Sequence, residues 1–201
     1  MLLLFDGQNV LDDHGSFAGG WHAHHAIERL PRTIRRPVLI AIDHGGVRRM
    51  RELWKELDPF LRFVTGSVLP EVEDRLRLRF DPGARVVGGS SLGGLASLAA
   101  LARHPAVFRS AMAMSPSAWF APEEIAHELQ HARIGSSTRV YVDVGHRESA
   151  AMVKGAVHVA RVLGARMAAS NVMWRPDRRG KHREGDWKRR LPKALRFLFR
   201  R

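Results

Sequence analysis

Short apolar runs of strand type alternate with helical patterns along the whole of this 201-residue chain, and that alternation limits the folds open to it. Leu2 to Phe5 is a first strand-like run, ending in the turn signal Asp6-Gly7-Gln8-Asn9. Trp21 to Leu30 reads as a helix closed by Pro31, and Val38 to Ile42 as a buried strand. Pro59 to Arg75 has helical spacing that Pro70 is expected to interrupt. Ala84 to Val87 is a strand, and Leu92 to Ala102 a helix that is apolar almost all round and therefore buried. Phe108 to Met114 is the next strand, Glu123 to His131 the next helix, and Val140 to Val144 a strand stopped by Gly145. Ala150 to Met167 is a helix, Asn171 to Trp174 a last short strand, and Trp187 to Phe199 a last helix broken by Pro192. Such an order predicts an α/β domain with a mostly parallel sheet and helices on both faces. With no repeat, linker or low-complexity segment, residues 1–201 read as one domain.

Composition narrows the chemistry. The chain holds no cysteine, so disulfides, thiolate catalysis and Cys-ligated zinc are excluded. The apolar start Met1 to Phe5 stops at Asp6, too short for a signal core or a membrane span. The chain thus reads as soluble and cytoplasmic, with no membrane partner. A net charge of +13 and a pI near 11.5 favour polyanions or an anionic substrate. Arginine supplies 28 of the 33 basic residues, a skew that genomic base composition can also produce. The basic residues cluster at 29–36, 47–51, 75–85 and 175–201 instead of forming one arm, so nucleic acid is not expected as the main partner.

Function gathers at the carboxyl ends of strands in an open parallel sheet. There the chain places Val86-Val87-Gly88-Gly89-Ser90-Ser91-Leu92-Gly93-Gly94-Leu95. A P-loop would need Gly-Lys-Ser/Thr, but Leu95-Ala96 follow the glycines, and the run from Gly88 lacks the G-x-G-x-x-G spacing. It does fit G-x-S-x-G, the turn that lifts a nucleophilic serine above a sheet. Centred on Ser91 the flanking residues are Gly89 and Gly93; centred on Ser90 they are Gly88 and Leu92, and the pattern fails. Ser91 is therefore the candidate nucleophile, and the Leu92 backbone N–H a candidate oxyanion donor.

A serine nucleophile needs a base, and the base an orienting acid; for a serine on a G-x-S-x-G elbow they follow in the chain order Ser, acid, His. His158 lies within a helix, His127 and His131 fall on another, and His104 closes the helix after the elbow at its far end. His146 would invert the chain order. His182 sits in the polar loop Gly180-Lys181-His182-Arg183-Glu184-Gly185 between the last strand and the last helix, where the base belongs. For the acid, Glu148 lies in the loop after the 140–144 strand. Asp143 is the alternative, but it sits inside the strand run.

Several segments together resemble the putative esterase family of α/β-hydrolases, which includes esterase D, enterochelin esterases, feruloyl esterases and mycolyl transferases. They are Asp6-Gly7-Gln8-Asn9-Val10, Phe17-Ala18-Gly19-Gly20-Trp21, Gly88 to Gly94, Ser115-Pro116-Ser117-Ala118-Trp119-Phe120, Asp143 to Glu148, and His182 to Phe199. The resemblance implies an α/β-hydrolase fold with Ser91 as nucleophile, Glu148 as acid and His182 as base. It also implies a second oxyanion donor in the Gly7-Gln8 turn, assigned to Gln8, and Trp119 as an aromatic wall of the acyl pocket. Family members usually begin with two or three strands before the Asp-Gly-Gln-Asn strand. This chain starts at it, as a minimal member or a truncated gene product would. The segment after Asp43-His44-Gly45-Gly46 is also shorter than is usual.

With the earlier strands lacking, Val38 to Ile42 is expected to form an open sheet edge, which invites a homodimer. Trp21-His22-Ala23-His24-His25 puts His22 and His25 at i, i+3 spacing, but no third ligand is identifiable, so no metal is assigned. No cofactor is expected. The function expected is hydrolysis of a small-molecule carboxylic ester, anionic if the cations around His182 face the cleft, through an acyl-enzyme. The alternatives are an acyltransferase using the same triad and a catalytically silent polyanion-binding protein on a hydrolase scaffold.

Overall fold

The computed structural model describes residues 1–16 and 18–201; Phe17, part of one quoted motif, lies outside them. Six strands form one sheet: β1 (Leu2–Phe5), β2 (Leu39–Ile42), β3 (Val86–Ser90), β4 (Ser110–Met114), β5 (Arg139–Gly145) and β6 (Val172–Asp177). Their spatial order is β2-β1-β3-β4-β5-β6 and every pairing is parallel. The alternation of strand and helix dictates this, because a parallel neighbour needs a crossover long enough for a helix. Among the described residues β2 pairs with β1 alone, so the 38–42 run is an edge, as the sequence predicts. β6 is the other edge, and it tolerates Pro176 because its outer side has no ladder to feed.

Side chains alternate across the sheet with the period of two that a strand imposes. Leu3, Phe5, Val87, Ala111, Ala113, Val140 and Val142 face one layer. That layer holds the helices α2 (Leu57–Phe63), α3 (Leu69–Leu76), α4 (Ser91–Arg103), α5 (Pro122–His131) and α6 (Ala150–Arg166). Leu2, Leu4, Val86, Met112, Met114 and Tyr141 face the opposite layer, made of α1 (Ala23–Glu28) and α7 (Glu184–Leu198). In α4 every residue from Leu92 to Leu101 is buried, as an all-round apolar helix requires.

Two sequence expectations need correction. Pro70 does not break the segment it occupies. It sits in the first turn of α3, where a missing N–H costs nothing, and a π-helical turn over Val64–Val68 joins α2 to α3. Pro192 likewise lies inside a continuous α7 that runs past it to Leu198 and starts at Glu184, three residues earlier than the pattern suggests. Burial of Leu191, Ala194 and Leu195 against the sheet outweighs one lost helical hydrogen bond.

Candidate active site

The Ser90-Ser91 junction turns strand β3 directly into helix α4. Ser91 adopts φ 55°, a left-handed conformation unusual for a residue with a Cβ. The neighbouring glycines make it affordable. A Cβ on Gly89 would stand 2.7 Å from the backbone carbon of Gly93, so strand and helix meet there without room for any side chain. Ser91 is consequently held at the carboxyl end of β3, half-exposed, with Ser90 buried beneath it.

His182 and Glu148 converge on Ser91 from the ends of two other strands. His182 Nε2 lies 2.9 Å from Ser91 Oγ, and His182 Nδ1 lies 2.9 Å from Glu148 Oε2. The Glu148 carboxylate is fully buried and its other oxygen is held by the Gly145 N–H at 2.7 Å and the Ser115 hydroxyl at 2.6 Å. Burial pushes this carboxyl up, but hydrogen bonds from His182, Ser115 and Gly145 outweigh it and hold Glu148 below its ordinary value. Gly145 also permits close approach of the histidine loop, since a Cβ there would lie 2.3 Å from the Gly180 carbonyl oxygen.

Asp143, the alternative acid, makes no hydrogen bond or ion pair with His182, whose ring partners are Glu148 and Ser91. It is fully buried, accepts from the Ser115 N–H at 3.0 Å and the Tyr141 hydroxyl at 2.9 Å, and lies 3.1 Å from Arg190. Burial pushes its carboxyl up to about 6, against the pull of Arg190 and Tyr141.

Ser115, which sequence reasoning passed over, is the hub between these groups. Its hydroxyl accepts from Trp187 Nε1 and from the Arg190 guanidinium, each at 3.0 Å. With both lone pairs so occupied, its one proton can only point at Glu148. The residue takes φ 43°, a second strained non-glycine position beside the site. Ser117, two residues on, brings its hydroxyl to 3.2 Å from Ser91 Oγ. The quoted Ser115-Pro116-Ser117 run was the available signal for both serines.

The turn after β1 completes the rim. Asp6 has φ 58° and is 4% exposed. Arg49 grips its carboxylate with two hydrogen bonds of 2.7 Å, a fork that fixes the turn. The Gln8 side chain is committed to the His44 backbone, donating to its carbonyl at 3.0 Å and accepting from its N–H at 3.3 Å. Leu92 stands in the first turn of α4, where backbone N–H groups have no intrahelical acceptor. Glu184 ties α7 to this rim by accepting from Trp21 Nε1 at 2.5 Å and from Asn9 Nδ2 at 3.2 Å.

Trp119 is 45% exposed at the end of the 115–120 segment, edge-on to Phe120, which meets Trp54 in turn. Arg178, Arg179 and Lys181 are exposed around the histidine loop. Arg183 instead donates to Asp186 at 2.7 Å. His22 and His25 do not share a ligand position: His22 pairs with Asp13 and His25 with Glu28. Among the described residues no group of three or more His, Cys, Asp or Glu could hold a metal ion, and no helix is long and apolar enough to cross a membrane.

Comparison with known proteins extends this picture. The profile of the family described as "Putative esterase" matches residues 1–198. Among solved structures, the enterobactin esterase FES from Shigella flexneri superposes with a TM-score of 0.80 at 21% identity, covering 98% of this chain and 52% of that one. An IroE-like serine hydrolase from Shewanella oneidensis superposes at 0.78 with 17% identity, over 98% of this chain and 69% of the other. An uncharacterized Bacillus subtilis protein, YbbA, is 29% identical over 90 residues, which is 44% of this chain and 35% of that protein. The chain thus spans about half the length of the enterobactin esterase and a third of YbbA.

Proposed function

The chain belongs to the putative esterase family, and we propose on that footing that it is a serine hydrolase cleaving small-molecule carboxylic esters through an acyl-enzyme. The observation that carries the reading is the unbroken chain from Ser91 through His182 to Glu148, with both links at 2.9 Å. Ser91 Oγ attacks the ester carbonyl carbon as its proton passes to His182 Nε2. Glu148 holds the imidazole in the tautomer that leaves Nε2 free to accept, and stabilises the imidazolium that follows. The backbone N–H groups of Leu92 and Gln8 stabilise the tetrahedral oxyanion. His182 returns its proton to the departing alcohol, then takes one from water as water attacks the acyl-serine, and gives that proton to Ser91 Oγ as the acyl–oxygen bond breaks and the acid is released. Trp119 lines the acyl side of the cleft.

The reading is tested by p-nitrophenyl acetate hydrolysis. Ser91→Ala abolishes it, whereas Ser90→Ala retains it; activity surviving Ser91→Ala would reject the assignment.

A further inference from the structure

Three shallow cavities lie end to end along α7 and the edge strand β6, none of them lined by Ser91, His182 or Glu148. The first, of about 240 Å³, is lined by Arg35, Arg139 and Arg200. The next, of about 380 Å³, adds Arg175, Lys193 and Arg196 and shares Arg200. The third, of about 210 Å³, shares Arg175 and Lys193 and adds Arg178 and Arg189. These common walls make one continuous track. It begins beside Arg139, the first residue of β5, and ends beside Asp177, the last of β6.

Most of the charges along it are not neutralised. Asp177 is the one acidic side chain lining the track among the described residues, and Arg189 already occupies it at 2.6 Å. Arg35, Arg139, Arg175, Lys193, Arg196 and Arg200 enter no ion pair among the described residues, whereas Arg189 and Arg190, which also line the third cavity, and the nearby Arg183 all do. Backbone carbonyls hold two of these guanidinium groups in place. Arg139 donates to the Arg200 carbonyl at 2.8 Å, and Arg200 donates to the Ser170 carbonyl while lying 5.1 Å over the Phe197 ring. Burial, and the charges of Arg200 and Arg35, push the Arg139 guanidinium down, the direction that crowding of like charge produces.

The stripe has a regular spacing. Arg189, Lys193 and Arg196 recur at intervals of four and three, which puts them on one side of α7 over about 10 Å of helix rise, and Arg200 follows two residues past the helix end at Leu198. Phe197, Phe199 and Tyr141, the aromatic residues of the lining, are buried. The track therefore offers donors for phosphate oxygens but no exposed ring on which a base could stack.

We propose that this track binds a linear chain of phosphates, recognised by charge and spacing and not by bases. The inference stands apart from the esterase reading and survives its failure. The test is titration of the full chain with fluorescently labelled inorganic polyphosphate and, separately, an oligothymidylate, across a salt series. Both bind at low salt. For the oligothymidylate, log K falls linearly with log salt, with a slope of about −0.7 per phosphate neutralised. The triple variant Lys193→Ala/Arg196→Ala/Arg200→Ala cuts that slope by about 2 and weakens both ligands at least tenfold. A triple variant of equal charge loss on exposed residues elsewhere, Arg62→Ala/Arg133→Ala/Arg161→Ala, changes either far less. If removal of Arg200 unfolds the protein, Lys193→Glu/Arg196→Glu carries the same test at two exposed positions. Absence of binding to both ligands, equal losses in the two triples, or binding of the oligothymidylate alone would each overturn the proposal.

Discussion

At the scale of single residues, two buried carboxylates, Glu148 and Asp143, have different tasks to be told apart. Glu148→Gln should lower kcat by roughly 10³–10⁴ with little change in melting temperature, because it removes the acceptor that orients His182. Asp143→Asn should do the opposite. It leaves the 5%-exposed Arg190 without its full carboxylate partner, so it should cost about 3 kcal/mol of stability while the folded fraction stays active. Paired kinetics and thermal melts on the two variants check this, and the reverse pattern would move the acid to Asp143. Ser115 allows a finer separation of positioning from folding. Ser115→Ala and Ser115→Gly both lose the hydroxyl that donates to Glu148, so both should lose about tenfold or more in kcat at unchanged KM. Glycine relieves the φ of 43°, so Ser115→Gly should melt above Ser115→Ala by about 1 kcal/mol. Activity that tracks stability across the pair would make Ser115 a purely structural residue.

At the scale of elements, α7 is where stability and site meet, since its first turn follows His182 directly. Asp186 in that turn is nearly buried. Burial pushes its carboxyl up, but hydrogen bonds from Arg183 and Arg189 prevail and bring it down to about 2. A carboxyl lower in the folded than in the unfolded chain stabilises fully above the ordinary value, and this contribution fades as pH falls toward the folded one. The melting temperature should therefore drop between about pH 4 and pH 2. Asp186→Asn should flatten that drop by about 1 kcal/mol, the exposed arginine partners being screened. An unchanged acid limb would contradict the pairing. The same element shows what the sequence could and could not tell. The Gly89-Ser90-Ser91-Leu92-Gly93 register and the loop between last strand and last helix are local patterns, so Ser91 and His182 could be chosen from them as candidates, and the structure brings the two side chains to 2.9 Å. The hydrogen bonds of Ser115 with Trp187 and Arg190 span 72 and 75 residues, and the Arg49 fork on Asp6 spans 43. No periodicity encodes such separations. Pro70 and Pro192 misled for a related reason: whether a proline breaks a helix depends on its place in the turn and on the packing around it, which are properties of the fold.

At the scale of the whole molecule, two expectations concern association and charge. The outer side of β2 pairs with no strand among the described residues, and Leu39, Ala41 and Ile42 along it are half-buried. We expect two copies to pair along this edge. Sedimentation at micromolar concentration should show a dimer, which Ala41→Pro should dissociate by removing an outward N–H. A stable monomer across concentrations would rule it out. The exposed Arg178, Arg179 and Lys181 beside the histidine loop should favour esters that carry a carboxylate or phosphate over neutral ones of equal size. That preference should shrink as salt shortens the screening length from about 10 Å at 0.1 M. Equal kcat/KM for both classes at low salt would reject it. Whether Ser91 is an activated nucleophile is read from the intact mass of the protein after treatment with a fluorophosphonate. The wild-type chain and Ser90→Ala should each gain one adduct, and Ser91→Ala none. An adduct that persists in Ser91→Ala, or a wild-type chain that takes none, would contradict that role for Ser91.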